Sequence, residues 1–139
     1  MIVTFCGHSE VHFANKIEDW LEEVLEQLIK EGVREFYLGG YGGFDRLVFS
    51  VLKRKKVQYE NIRFLLIMPY LNHKLDPSEY VGTIYPPLEK VPKKYANIKR
   101  NEWMVKKADV LVAYVIHDWG GAAKTMKDAL QRNKKIVQY

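Results

Sequence analysis

A single cysteine, Cys6, in 139 residues leaves no partner for an internal disulfide and no repeated thiolate spacing for zinc. No apolar run approaches the roughly 20 residues that span a bilayer, so no membrane contact is expected. The opening stretch Met1-Ile2-Val3-Thr4-Phe5-Cys6 is too short for a signal-peptide core and lacks a basic leader, which makes a cytoplasmic location the expectation. Proline is absent outside one window: Pro69, Pro77, Pro86, Pro87 and Pro92 all fall between residues 69 and 92. Nor is there an acidic excess. Twenty-two Lys and Arg against 17 Asp and Glu give a net charge of +5 and a pI of about 9.2. That balance favours anionic ligands or weak nucleic-acid association without identifying either. What remains is ordinary globular composition, 47% hydrophobic and 28% charged, in a length that suits one domain over 1–139.

Apolar runs alternate with helical periodicity along the chain. Residues 2–6 read as a strand buried on both faces. From about Asn15 to Glu31, Ile17, Trp20, Leu21, Val24, Leu25, Leu28 and Ile29 recur at three- and four-residue spacing, which predicts an amphipathic helix closed by Gly32. Arg34–Leu38 is a second strand and Asp45 to Lys56 a second helix. The basic run Lys53-Arg54-Lys55-Lys56 falls at that helix end, where cations complement the helix dipole. Asn61–Met68 reads as a third strand and about Lys94 to Lys107 as a third helix, with Ile98, Met104, Val105 and Ala108 inward. Asp109–Ile116, a helix opening at Gly120-Gly121, and Lys135–Gln138 complete the pattern. The proline window, which also holds Tyr70, Tyr80 and Tyr85, reads as a long loop: a lid, a partner surface or an irregular covering.

Alternating strands and helices predict a parallel sheet covered on both faces, with ligands bound beyond the C-terminal strand ends. Those ends carry Cys6-Gly7-His8, Gly39-Gly40-Tyr41-Gly42-Gly43-Phe44-Asp45, Pro69-Tyr70 and Ile116–Gly121. Glycine-rich strand-to-helix turns present backbone N–H groups and a partial positive charge, which suits a phosphate. A tight turn that holds nothing is the plainer reading of either cluster.

Several of these residues resemble a known family. Gly39 to Asp45 looks like the first glycine motif of the SLOG superfamily, named for the SMF/DprA and LOG proteins. Arg100-Asn101-Glu102-Trp103-Met104, then Ala108-Asp109, a strand, and Gly120-Gly121 with Thr125 repeat the LOG order of motifs. The opening Thr4-Phe5-Cys6-Gly7-His8 and the stretch Gly120–Thr125 resemble the small YpsA-like branch. The resemblance spans almost the whole chain. It implies a Rossmann-like three-layer α/β sandwich, a five-stranded parallel sheet in the order 3-2-1-4-5, and a nucleotide-derived ligand. LOG enzymes are phosphoribohydrolases that pair an Arg with a Glu shortly after the second glycine motif. Arg100 occupies the Arg position, but Met126, Lys127 and Asp128 follow Thr125 and no Glu stands there. N-glycosidic cleavage needs such a carboxylate, and Asp128 is shorter and displaced. The set therefore fits a sensor that holds an NAD- or ADP-ribose-type signal or a nucleoside phosphate better than a hydrolase. Nucleic-acid binding, through the lysine run, is a further alternative. No cofactor is required on this reading, and self-association is expected from family habit.

The candidate ligand-binding residues follow. Gly39, Gly40, Gly42 and Gly43 would face phosphate, and Asp45 would either cap the second helix or contact a ribose hydroxyl. Arg46 could reach phosphate or lie in solvent. Pro69 ends the third strand. Arg100 and Asn101 would grip phosphate, a structural salt bridge being the alternative for the Arg. Gly120, Gly121, Lys124 and Thr125 form a second anion-binding start. Tyr41 and Trp119 flank the glycine clusters, where either could stack on a base. Cys6, Gly7 and His8 line the first strand end. A Cys6–His8 nucleophile pair has no orienting acid, which leaves His8 as a hydrogen-bonding wall. His12, His73 and His117 lack ligand spacing, and no metal is expected.

Overall fold

The computed structural model describes residues 1–70 and 80–139, so His73 and Pro77 lie outside the described residues. The chain runs β1 (Ile2–Gly7), α1 (Ala14–Lys30), β2 (Glu35–Leu38), α2 (Gly42–Gln58), β3 (Arg63–Ile67), β4 (Gly82–Ile84), α3 (Ala96–Lys107), β5 (Val110–Tyr114), α4 (Gly121–Gln131) and β6 (Lys135–Gln138). It is a Rossmann-like α/β fold. Every strand pair is parallel, in the order β4-β3-β2-β1-β5-β6.

Among the described residues the sheet has six strands, which corrects the expected five in the order 3-2-1-4-5. Gly82–Ile84, inside the proline window read as loop, pairs with Leu65–Ile67 and becomes the edge strand. Three residues flanked by prolines carry too little period-two pattern to stand out, and the pairing that makes them a strand is non-local.

Strand alternation divides the core into two layers. Val3 and Phe5, Phe36 and Leu38, and Val110, Val112 and Tyr114 face α1 and α2. Cys6, Leu111 and Ala113 face Val105 of α3 and Ala123 and Ala129 of α4, while Tyr37, Leu65 and Ile67 meet Met104. The α1 stripe buries Ile17, Leu21, Leu25, Leu28 and Ile29 as its spacing predicts. Gly32, at φ 105°, follows the cap. Its N–H donates to Ile29 O at 3.0 Å and that of Val33 to Leu28 O at 3.0 Å, the double bond of a Schellman end.

Two predictions about helix faces are corrected. Ile98 is 45% exposed, and Arg100 is buried instead, because α3 turns Ala96, Arg100 and Met104 to the sheet and Ile98 lies half a turn away. The basic run is more than a solvated helix end. Arg54 donates to Glu18 at 2.8 Å and to Glu22 at 2.6 Å, Lys55 pairs with Glu22 at 2.9 Å, and Lys56 Nζ donates to the carbonyls of Glu60 and Ile62. The acidic face of α1 attracts Arg54 and Lys55 across the α1–α2 contact.

Asp109 clamps the sheet edge remote from the strand C-termini. Its carboxylate accepts the Ile2 N–H at 2.7 Å, and its own N–H donates to Ile2 O at 2.8 Å. Among the described residues no helix is long and apolar enough to cross a membrane.

Candidate functional site

After β1 the chain winds outward through β2, β3 and β4, then returns by α3 to place β5 on the other side of β1. The C-terminal ends of β1 and β5 diverge at this reversal, where a crevice is expected. A cavity of about 430 Å³ lies there, between the end of β1, the loop after it, α3, the β5–α4 loop and the first turn of α4.

The start of α2 closes on the protein. The helix begins at Gly42, three residues before the expected Asp45. Gly43 N–H donates to Ser9 O at 2.7 Å and Phe44 N–H to His8 O at 3.4 Å, so the β1–α1 loop occupies two first-turn donors. A Cβ on Gly43 would sit 2.5 Å from Ser9 O, which explains the glycine as a close approach of two backbones. Asp45 lies inside the helix and reaches back to accept the Tyr41 N–H at 3.0 Å; the Gly40 N–H is its other backbone donor. It thus ties down the turn from the fourth helical position rather than from the cap. Removal from water raises its pKa from 3.8 to about 6, against the pull of Tyr41 N–H, Arg100 and Gly40 N–H.

Arg100, 3% exposed, props the same turn. Its Nη1 donates to Gly39 O at 2.9 Å and to Ile67 O at 3.0 Å, joining the ends of β2 and β3. Its Nε donates to Asn101 Oδ1 at 2.9 Å. Burial holds its pKa below the usual arginine value, with Asp45 and Tyr70 opposing. A Cβ on Gly39 would lie 3.1 Å from Arg100 Cζ and 3.3 Å from Asp45 Oδ2, between guanidinium and carboxylate. Tyr41, Asp45, Arg100 and Asn101 reach the cavity wall; Gly39, Gly40, Gly42, Gly43 and Arg46 do not. Pro69 lines a separate depression of about 180 Å³ with Tyr70, Tyr85 and Lys93.

The start of α4 stays open. Gly120, at φ 90°, turns the chain into the helix, and Lys124 N–H makes the first helical bond to its carbonyl at 3.1 Å. The N–H groups of Gly121, Ala122 and Ala123 have no partner among the described residues. Gly120, Gly121, Ala122 and Thr125 line the cavity, the Thr125 hydroxyl donating to Gly121 O at 2.8 Å. Lys124 is exposed and outside the lining. The helix end thus offers unpaired donors and positive potential to the cavity.

Opposite it, Cys6, Gly7 and His8 form the β1 wall. Burial, then the Asp45 charge, pushes the Cys6 thiol up to about 12, and His8 Nε2 accepts the Ile116 N–H at 2.9 Å. A thiol so far from ionising and an imidazole acceptor already engaged do not make a nucleophile pair. His8 serves instead as a bracket between β1 and the β5–α4 loop, and burial followed by the His117 charge lowers its pKa. Its ring stacks on His117 at 3.7 Å and 17°, and His117 stacks on Trp119 at 3.7 Å and 15°.

Ser9, Glu10 and His12 also line the cavity although sequence reasoning did not single them out for binding, as do Ile116 and His117, which it placed at a strand end but not among the ligand-binding residues. Their signal was position: each lies within a few residues of a strand end already singled out. Asp128 is not on the wall; its Oδ1 accepts from Arg132 Nε at 2.9 Å on the flank of α4. Among the described residues no three His, Cys, Asp or Glu are grouped to hold a metal ion.

The YpsA family model, described as the YspA SLOG family, matches residues 8–139. No curated protein matches. The molybdenum cofactor carrier protein of Chlamydomonas reinhardtii superposes with a TM-score of 0.64 at 16% identity, over 99% of this chain and 74% of that one. DNA processing protein A of Helicobacter pylori, described by its single-stranded DNA binding mode, gives 0.70 at 15% identity, over 99% of this chain and 64% of that one. The Streptococcus pneumoniae protein of the same name gives 0.68 at 13% identity, over 98% and 49%. At these identities the likeness establishes the fold alone.

Proposed function

The chain belongs to the YspA SLOG family, and from that premise we propose that it binds a nucleotide-derived small molecule in the cavity between β1 and β5, holding it rather than cleaving it. The observation that carries this reading is the open start of α4: the N–H groups of Gly121, Ala122 and Ala123 have no partner among the described residues, and Gly121 and Ala122 line the 430 Å³ cavity. An anionic group of the ligand sits there, and ribose-like hydroxyls meet Asp45, Glu10 and Asn101 on the facing walls.

Retention without turnover follows from Arg100 and from the carboxylates. The Arg100 guanidinium is tied to two strand-end carbonyls and Asn101, so it shapes the wall more than it grips phosphate. No Glu follows Thr125, and Asp128 is not on the cavity wall. Cleavage of a nucleoside phosphate is the second reading, favoured by Asp45, whose carboxyl near pKa 6 has general-acid character. Nucleic-acid binding through Lys53–Lys56 is less favoured, since Arg54, Lys55 and Lys56 already have protein partners. The SLOG-type neighbours include one protein described as a molybdenum cofactor carrier, which is consistent with a small-molecule role.

Isothermal titration against AMP, ADP-ribose, NAD and cyclic ADP-ribose tests the proposal. Saturable heat with one of them is the expected result, and silence across the set overturns it. Chromatography of the same mixtures separates the two readings, because free base appears only if the bond is cut. Self-association belongs to the same proposal and is read by light scattering on a sizing column.

A further inference from the structure

His8, His117 and Trp119 form a column of parallel rings at the mouth of the cavity. Two rings that each lie 3.7 Å from His117 and nearly parallel to it must occupy its opposite faces, so the order is His8, His117, Trp119. The column is anchored at its inner end, where His8 accepts the Ile116 N–H at 2.9 Å and meets Tyr114 edge-on at 5.6 Å. It is pinned again near its outer end by the 3.0 Å contact between His117 Nδ1 and Trp119 O. Trp119 is nonetheless 67% exposed and belongs to the cavity lining. One indole face is therefore covered by His117 and the other is open.

A large aromatic ring held in place with one face bare costs little further ordering when a planar partner arrives, which is the condition for efficient stacking. Tyr41 differs. It is 70% exposed on the opposite rim, and no described ring stacks on it to fix its plane.

We infer that the open face of Trp119 is the subsite for a planar heteroaromatic ring of the ligand, which extends the His8–His117–Trp119 column as a fourth layer. The inference rests on the cavity reading above and adds a requirement to it: the ligand's ring is itself bound, on Trp119, alongside its anionic group. The phosphate end and the ring end are then separable, and sugar phosphates without a base are discriminated against. Trp119 sets that specificity directly, while His117 and His8 are positioning residues that hold the indole plane.

The test measures three probes, AMP, adenosine and ribose 5-phosphate, on the full chain at pH 7.5. Binding is followed by titration calorimetry and by Trp119 emission, isolated as the difference between the wild-type spectrum and that of Trp119→Phe. AMP is expected to bind about tenfold more tightly than ribose 5-phosphate, the order of a single base–aromatic stack, and to quench Trp119. Trp119→Ala, at an exposed position that leaves the core intact, brings AMP to the ribose 5-phosphate level and leaves ribose 5-phosphate unchanged. His117→Ala weakens AMP by a smaller factor and again spares ribose 5-phosphate. Equal affinity for AMP and ribose 5-phosphate, or equal weakening of both by Trp119→Ala, overturns the ring subsite while the cavity reading stands. If neither phosphate binds and ADP-ribose, NAD and cyclic ADP-ribose are silent as well, the cavity reading falls. Adenosine quenching of Trp119 then upholds the ring subsite alone, and the absence of quenching ends both.

Discussion

The helices α2 and α4 both begin on glycine pairs at the same edge of the sheet, and both match the pattern of an anion-binding turn. Around α2, Ser9 and His8 carbonyls accept its first-turn N–H groups, Asp45 folds back onto Tyr41 and Gly40, and Arg100 braces Gly39 from the side. Around α4, Gly120 and Gly121 are exposed, no atom lies within 4 Å of a Cβ built on either, and both line the cavity. The contrast teaches that glycine at a strand-to-helix turn has two physical uses. One lets protein backbone approach backbone; the other leaves room for something that is not protein. A sequence motif does not distinguish them, because the deciding partner is elsewhere in the chain.

The largest expected effect comes from removing the brace of the closed start. Arg100→Ala leaves the Gly39 and Ile67 carbonyls without their donor, opens a void under α3 and strips Asp45 of its nearby cation. A loss of about 3–5 kcal/mol is expected, since one member of a buried charged network is deleted. Arg100→Lys retains the charge and one nitrogen for the two carbonyls, but it loses the Nε bond to Asn101 and the volume of the guanidinium, so it should recover only part of the loss. Urea denaturation midpoints decide. A variant as stable as wild type would mean that the brace is dispensable and the guanidinium is available to ligand.

A second, smaller effect contrasts the glycines themselves. In Gly43→Ala the new methyl meets Ser9 O at 2.5 Å and Val11 at 3.1 Å, so the β1–α1 loop must shift, at a cost of roughly 1–3 kcal/mol. In Gly121→Ala the methyl meets open space in the first turn of α4, and alanine's helix preference offsets any loss, leaving stability within about 1 kcal/mol of wild type. Thermal midpoints of the two variants measured side by side should differ in that direction. Equal destabilisation would erase the distinction between the closed and the open start.

Much of the architecture was legible because it rests on local periodicity: the α1 stripe, the continuous apolar runs of β1, β3 and β5, and the Gly32 end. The convergence of Cys6–His8 with Trp119–Gly121 was legible too, since strand C-termini share an edge in a parallel sheet. What escaped depends on partners distant in sequence. β4 is a strand only because Leu65–Ile67 lies beside it, and Arg100 is buried only because two strand ends present carbonyls to it. The ring column joins residues 8, 117 and 119 across more than a hundred positions, which no local pattern encodes.

The smallest effect is a pH dependence, and it probes how firmly the closed start is shut. Asp45 titrates near 6 in the folded protein against 3.8 in an ordinary aspartate, so its folded-state pKa is raised. Such a group contributes stability that is fully present below about pH 3.8 and is lost as pH rises through about 6. His8 acts in the opposite sense. Its folded pKa is lowered below 6.5, so its contribution is present above 6.5 and is lost as pH falls through the lowered value. The bare stability profile of the wild type therefore mixes two opposing trends, and the comparison has to be made against Asp45→Asn. The amide keeps an oxygen for the Tyr41 and Gly40 N–H groups but cannot ionise, while His8 titrates alike in both proteins and cancels. Wild type should lose stability relative to Asp45→Asn by about 1–3 kcal/mol between pH 4 and pH 7.5, toward the lower end because Asp45 keeps some solvent contact. Urea midpoints at pH 4.0, 5.5 and 7.5 give the difference directly. A flat difference would place the carboxyl near its ordinary pKa, with water reaching it. The start of α2 would then be open to the cavity in the way the start of α4 is.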